Sequence, residues 1–245
     1  MRTQRIYTDQ PLEAGGEITL EEDASHHLHH VLRMQAGDSV NLFNKGREYA
    51  ATLEQIGKYS ATAALLDLVR EEAEPKLAIH LLIGISRGER MDFALQKATE
   101  LGVTRITPLF TKRCVVKLNE KKQASRMAHW NKIIVNACEQ SGRCRLPALD
   151  TPLEVSEALQ THNSASALLL DHRSDITLHE LKRPKSSVTI LVGPEGGLSG
   201  DERKLATSQG FSGVRLGPRV MRTETAPLAA IAAIQTLWGD FGVGR

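Results

Sequence analysis

Short stretches of alternating or β-branched apolar residues open the chain, at GGEITLEE, DSVNLFNKG, REYAATLEQIG and YSATAALLDLV, with Gly, Asn or Asp between them. A period of two belongs to strands that bury one face, so this part predicts a small barrel or curled sheet. One stretch departs from it. DASHHLHHVLRM carries Leu28, Val31 and Leu32 at helical spacing, with Asp23 or Ser25 as a candidate N-cap and QAGD as a stop. From Pro75 onward the texture changes to apolar runs alternating with longer helical patterns, which predicts a mainly parallel sheet covered on both faces. The expected strands are KLAIHLLIGIS, RITPLFT, SALLLDH, SVTILVG and GVRLG. The expected helices are GERMDFALQKATEL, SRMAHWNKIIVNACEQ, TPLEVSEALQ, GDERKLATSQ and PLAAIAAIQTLW.

Two of these helices can be argued closely. Met91, Leu95, Ala98 and Leu101 repeat at helical spacing, and Gly102 follows where a left-handed residue ends a helix. Arg90, Gln96, Lys97 and Glu100 take the other face. In the last helix Pro227 stands near the first turn, where a missing N–H is tolerated, and AAIAAI lets another backbone come close, from a sheet or a second subunit. The acidic, proline-ended REEAEP separates the two textures. The chain therefore reads as an α/β protein of two domains, residues 1–72 and 75–245, joined by a short connector.

Composition narrows the class. A chain of 245 residues with 41% hydrophobic and 24% charged residues suits a globular protein rather than a disordered one. No apolar run approaches the roughly 20 residues of a spanning helix, and MRTQRIYTDQPLE lacks the apolar core of a signal peptide. A cytoplasmic location with no membrane partner is expected. Cys114, Cys138 and Cys144 form no C-x-x-C pair, so they read as reduced thiols. Charge divides at the connector: up to Glu74 there are 7 Lys and Arg against 13 Asp and Glu, and beyond it 24 against 16. The basic part suits a polyanion such as RNA, and equally a plain solvated surface.

Candidate chemistry gathers in three loops. SSVTILVGPEGGLSGDE runs from a strand through glycines into a helix, the usual setting for a phosphate at a helix N-terminus. Gly193, Gly196 and Gly197 match neither the P-loop nor the dinucleotide spacing, and no lysine follows. Glu195 inside the turn would repel a pyrophosphate and tolerate a cationic ligand. Ser199 and Glu202 form an S-x-x-E capping box, which leaves the helix terminus less available to an anion. The glycines then read as close backbone approach to a ligand, or as a tight turn with none. The second loop, in VRLGPRVMRTETAPLAAIAAI, brings Arg219, Arg222 and Glu224 to the end of the last strand, where open α/β sheets bind ligands. The third, NACEQSGRCR, gathers Glu139, Gln140, Arg143 and Arg145 at a helix end. His26, His27, His29 and His30 tempt a metal assignment, but only Asp23 stands near as a carboxylate and no Cys does, so no metal is expected.

In order, RMDFALQKATELGV, EQSGR, GPEGGLS and LGPRVMRTETA closely resemble the bacterial methyltransferases that act on uridine N3 of small-subunit (16S) ribosomal RNA, a family of the SPOUT class. The resemblance extends to HHLHHVLRMQAGDSV and so spans essentially the whole chain. It implies a PUA-like β-barrel in residues 1–72 that engages RNA and a SPOUT α/β domain in 75–245 with a deep trefoil knot. Sequence physics would not have proposed the knot, because threaded chains are rare. It also implies S-adenosylmethionine as cofactor, a homodimer that completes the RNA site, and the assembled small ribosomal subunit as substrate. Carried over residue by residue, the cofactor site would comprise Leu170, Val192, Gly193, Pro194, Glu195, Gly196, Leu216, Gly217, Val220, Met221, Arg222, Thr223 and Thr225.

Methylation of N3 requires its proton to leave, because the nitrogen lone pair is not otherwise available. Arg222 or Arg143 is expected to stabilise the charge left on the uracil, and Glu224 or Glu139 to accept the proton. The base is expected to leave its stack. RNA contacts are expected from Arg2, Arg5, Arg33, Lys45 and Arg47 on one face of the first domain, and from Arg90, Gln140 and Arg143 in the second. Three alternatives stay open: a SPOUT methyltransferase for another rRNA or tRNA nucleotide, a non-catalytic RNA-binding assembly protein, and an enzyme of nucleotide or phosphate metabolism. The absent phosphate motifs count against the last.

Overall fold

A computed structural model of the chain describes residues 3–114, 120–161 and 166–242. Two compact units result, Met1–Glu74 with Val135–Leu146, and Pro75–Ile134 with Pro147–Arg245. The segment Val135–Leu146 lies far along the chain from the residues it packs with, which no local pattern signals.

The first unit is built on a five-stranded sheet in the order β1-β3-β4-β5-β2, comprising β1 (Gln4–Tyr7), β2 (Glu17–Leu20), β3 (Ser39–Asn44), β4 (Arg47–Ile56) and β5 (Ala61–Glu71). The pattern anticipated the last four. Strand β1 escaped it because QRIY is only four residues long, and it pairs in parallel with β3, Ile6 against Leu42. Alternation along β4 sends Tyr49, Ala51 and Leu53 into one core with Val40, Leu42 and Leu65. Between β2 and β3 the expected helix is shorter than its pattern: α1 (Glu22–His26) runs into one π-helical turn, His27–Val31. Neither Asp23 nor Ser25 caps it. The N-cap is Glu21, with no side-chain cap bond, and the Ser25 hydroxyl instead donates to the Leu20 carbonyl.

The second unit holds a seven-stranded, all-parallel sheet in the order β12-β10-β11-β6-β7-β8, with β9 also pairing β7. Its strands are β6 (Ala78–Gly84), β7 (Arg105–Phe110), β8 (Ala148–Leu149), β9 (Leu153–Glu154), β10 (Ala167–Leu170), β11 (Ser187–Val192) and β12 (Ser212–Val214). Central β11 is buried along nearly its whole length, as a strand covered on both faces must be. The helices are α2 (Glu89–Glu100), α3 (Glu120–Ser141), α4 (Val155–Thr161), α5 (Gly200–Ser208) and α6 (Thr225–Leu237). In α2 the buried stripe is Met91, Ala94, Leu95 and Ala98, and Gly102 takes φ +92° just beyond it. Helix α6 packs on α2, where the Gln235 amide donates to the Leu101 carbonyl at 3.1 Å.

The chain enters β11 from β10, then crosses through α5 to β12 on the far side of β10. Strand order therefore reverses at β10 and β11, and the crevice outside their carboxyl ends is where a sheet of this kind offers a binding site.

Candidate active site

A cavity of about 430 Å³ lies at those carboxyl ends, within the size range of small-molecule pockets, roughly 300–1,000 Å³. Three segments line it: residues 169–173 at and beyond the end of β10, 192–198 at and beyond the end of β11, and 220–224 before α6 with Ala226 in its first turn. The second and third loops are fastened together, for the Thr223 hydroxyl donates to the Gly193 carbonyl at 2.7 Å. Apolar walls come from Leu169, Leu170, Val192, Val220 and Met221. The main chain of residues 193–197 supplies polar groups without long side chains.

The glycine loop closes on itself. A Cβ on Gly193 would stand 2.7 Å from the Leu198 nitrogen, closer than any side chain can approach, so glycine there serves the loop's own fold. Across the loop, Arg113 donates to the Gly196 carbonyl at 3.0 Å. Glu195 is already engaged: its Oε1 accepts from the Arg87 N–H at 3.0 Å and from Arg90 at 3.3 Å. Partial burial opposes its charge, but these donors outweigh burial and hold its pKa below the ordinary value. Beyond the loop both bonds of the capping box form, Glu202 N–H to Ser199 Oγ at 3.2 Å and Ser199 N–H to Glu202 Oε2 at 2.6 Å. The remaining Glu202 oxygen accepts from the Lys112 N–H at 2.7 Å, which ties α5 to the end of β7.

Five arginines line the cavity, Arg90, Arg113, Arg173, Arg203 and Arg222. Asp171 restrains two of them, Arg173 at 3.4 Å and Arg203 at 3.8 Å. The Arg222 side chain makes no hydrogen bond or ion pair among the described residues. Two residues on, Glu224 Oε2 is buried with no hydrogen-bond partner among them. A buried carboxylate oxygen without a partner is costly, and Glu224 and Arg222 line the same cavity.

Of the residues expected at a cofactor site, Leu170, Val192 to Gly196 and Val220 to Thr223 line this cavity, while Leu216, Gly217 and Thr225 lie outside the lining. Arg90 lines it too. Sequence reasoning missed Asp171, Arg173, Arg113 and Arg203; only the DHR that follows the SALLL strand pointed to the first two. Glu139, Gln140 and Arg143 belong to the first unit. There Glu139 accepts the Tyr7 N–H at 3.1 Å, and burial raises its pKa against the pull of that bond and of Arg5.

The expected basic face of the first unit needs correction at Arg5. This side chain is buried, donating to Glu48 at 3.0 Å, to the Cys138 carbonyl at 2.7 Å and to the Arg143 carbonyl at 3.0 Å, with its guanidinium 4.3 Å from the Phe43 ring centroid. It holds the end of α3 rather than facing a ligand. Arg47 is exposed but paired with Glu71 at 3.1 Å. Arg33 and Lys45 are exposed in left-handed turns, and Arg2 lies outside the described residues.

A family profile for an RNA methyltransferase domain matches residues 73–235, and one for an RNA methyltransferase PUA domain matches residues 20–66. The chain belongs to the ribosomal RNA small subunit methyltransferase E family. A member from Buchnera aphidicola is 32% identical over 98% of both chains. The solved structure of a Neisseria gonorrhoeae member bound to S-adenosyl methionine is 40% identical, with a TM-score of 0.90 over 98% of this chain and 100% of that one. A Legionella pneumophila methyltransferase in complex with the same cofactor is 37% identical, with a TM-score of 0.94 over 98% and 100%. The first unit is accordingly PUA-like.

Proposed function

We propose that the chain methylates N3 of a uridine in 16S rRNA within the assembled small ribosomal subunit, using S-adenosylmethionine. The observation that carries this reading is the cavity at β10 and β11, fastened by Thr223 and Gly193 and lined by Arg222 and by Glu224, whose Oε2 has no hydrogen-bond partner among the described residues. Its residues fit the cofactor. The apolar wall of Leu169, Leu170, Val192 and Met221 suits a purine ring, and main-chain groups of the two loops suit its polar edges. When bound, the cofactor supplies an electrophilic methyl group on a sulfonium.

Glu224 Oε2 takes the N3 proton, and the Arg222 guanidinium neutralises the charge that builds on the uracil. Glu224 is favoured over Glu139, whose carboxylate already accepts the Tyr7 N–H. Gln140 and Arg143 meet RNA. The reading includes closure of the first sheet into a barrel, a trefoil knot through the loop before α6, a cytoplasmic homodimer, and domains at 1–72 and 75–245. Exposed Phe93, Leu237 and Phe241 of the second unit support a subunit contact. No helix among the described residues is long and apolar enough to cross a membrane.

The test is methyl transfer from labelled cofactor to small subunits lacking the modification, followed by mapping of the product base. Label at N3 of one uridine is expected. Label on another base removes the assignment, and no transfer with intact cofactor binding favours an assembly protein.

A further inference from the structure

Two arginines in the cavity wall come from different elements and converge on one carboxylate. Strand β10 ends at Leu170, and the turn after it is pinned to β12: the Asp171 N–H donates to the Val214 carbonyl at 3.0 Å, and the Ser174 hydroxyl donates to the Gly213 carbonyl at 2.6 Å. Asp171 Oδ1 accepts from the Arg173 N–H at 3.1 Å and from the Arg173 guanidinium at 3.4 Å. Arg203 approaches Asp171 Oδ2 to 3.8 Å from α5, whose first amides are taken by its own capping box. His172 Nδ1 stands 4.0 Å from the same carboxylate.

Asp171 does not use up these arginines. A guanidinium carries five N–H donors, whereas a carboxylate has two oxygens. One of those oxygens is shared with the Arg173 main chain, and the approach of Arg203 is longer than a hydrogen bond. Neither arginine pairs with another carboxylate among the described residues. The Asp171 side chain, only 16% exposed, is thus a fixed post that aligns two guanidiniums and leaves donors of both unspent. Around the cavity as a whole, five arginines face three acids, Asp171, Glu195 and Glu224. A ligand with a sulfonium and an ammonium adds positive charge to that surplus, so what the wall lacks is an anionic oxygen.

We propose that Arg173 and Arg203, aligned by Asp171, form an oxyanion subsite of the cavity. Two anions of the proposed reaction fit it, the carboxylate of the cofactor and a phosphate of the RNA, since both match the donor fork of a guanidinium. The inference rests on the reading of the chain as an S-adenosylmethionine-dependent enzyme of RNA. It goes beyond that reading by giving a ligand to two arginines that are absent from the cofactor and RNA residues expected from sequence.

Full-length wild type and Arg173→Ala/Arg203→Ala are titrated calorimetrically with S-adenosylmethionine and with its decarboxylated form. Binding of both proteins to small ribosomal subunits lacking the modification is measured across a range of salt. If the subsite takes the carboxylate, the double variant binds S-adenosylmethionine roughly tenfold more weakly, and the decarboxylated form as the wild type does. If it takes a phosphate, cofactor affinity is unchanged and the slope of log K for subunits against log salt falls by about 0.7–0.9 for each arginine. An unchanged salt slope overturns the proposal when cofactor affinity is also unchanged, or when both forms of the cofactor lose affinity equally. A wild type that binds neither ligand overturns it as well. If the expected losses occur while methyl label appears on another base or on none, the proposed activity falls and the subsite stands.

Discussion

Arg5 of the first unit and Arg222 of the second are put to opposite uses. In the first, Arg5, Arg47 and Arg70 each meet a carboxylate, at 3.0, 3.1 and 3.5 Å, and Arg5 also cements the end of α3. In the second, five arginines line one cavity and Arg222 is left without a partner among the described residues. A charge count by segment sees an acidic part and a basic part, but function depends on which charges are already satisfied. An arginine tied down on every side is mortar; one with no partner among the described residues, in a cavity, is a tool.

The largest effect should come from breaking the mortar. Arg5→Ala leaves Glu48 buried with only part of its compensation, since Arg70 still approaches it, and is expected to cost about 3 kcal/mol, read as a lower Tm. A stability equal to wild type would mean that the cluster is not structural. Arg222→Ala should do the reverse: its Tm is unchanged, while kcat for methyl transfer falls about a hundredfold, the loss seen when one donor to a developing charge is removed. Retained turnover at normal cofactor affinity takes Arg222 out of the mechanism. Gly193→Ala sets a Cβ against the Leu198 nitrogen and should cost about 1–3 kcal/mol of loop strain, read calorimetrically as weaker cofactor binding.

Acid titration sharpens the contrast at smaller scale. Burial opposes the Glu48 charge, but hydrogen bonds from Arg5 and Asn41 outweigh it and lower the pKa. The unfolded chain therefore binds the Glu48 proton first as pH falls. The contribution is complete above about pH 4.5 and is lost as pH drops through the lower folded value. Glu139 has the opposite sign: burial raises its pKa, so the folded chain keeps a proton that the unfolded chain has released, and stability declines as pH rises from about 4.5 through the folded value. Thermal melts across acid pH should show a flatter low-pH limb in Glu48→Gln and less of the later decline in Glu139→Gln. Limbs superimposable on wild type would remove both groups from the balance.

Legibility from sequence followed the range of the forces involved. Periodicity announced the long strands and helices because each buries its own face, and the Ser199–Glu202 box was readable because its partners lie three residues apart. Strand β1 and the packing of Val135–Leu146 on the first unit were not readable, since both depend on partners far along the chain, Arg5 reaching Cys138. At the site, the two loops could be found from strand ends and glycines. The role of Gly193 could not, for only coordinates show that its close neighbour is Leu198. Arg5 looked like any surface cation until its partners were known.

The most direct measurement is calorimetric titration of S-adenosylmethionine into the full-length chain, wild type and Arg222→Ala side by side. If the cavity at β10 and β11 holds the cofactor while Arg222 acts on the substrate, both proteins bind one equivalent with affinities within a few-fold of each other. Absence of binding to the wild type, or loss of binding in Arg222→Ala alone, would contradict that division of labour.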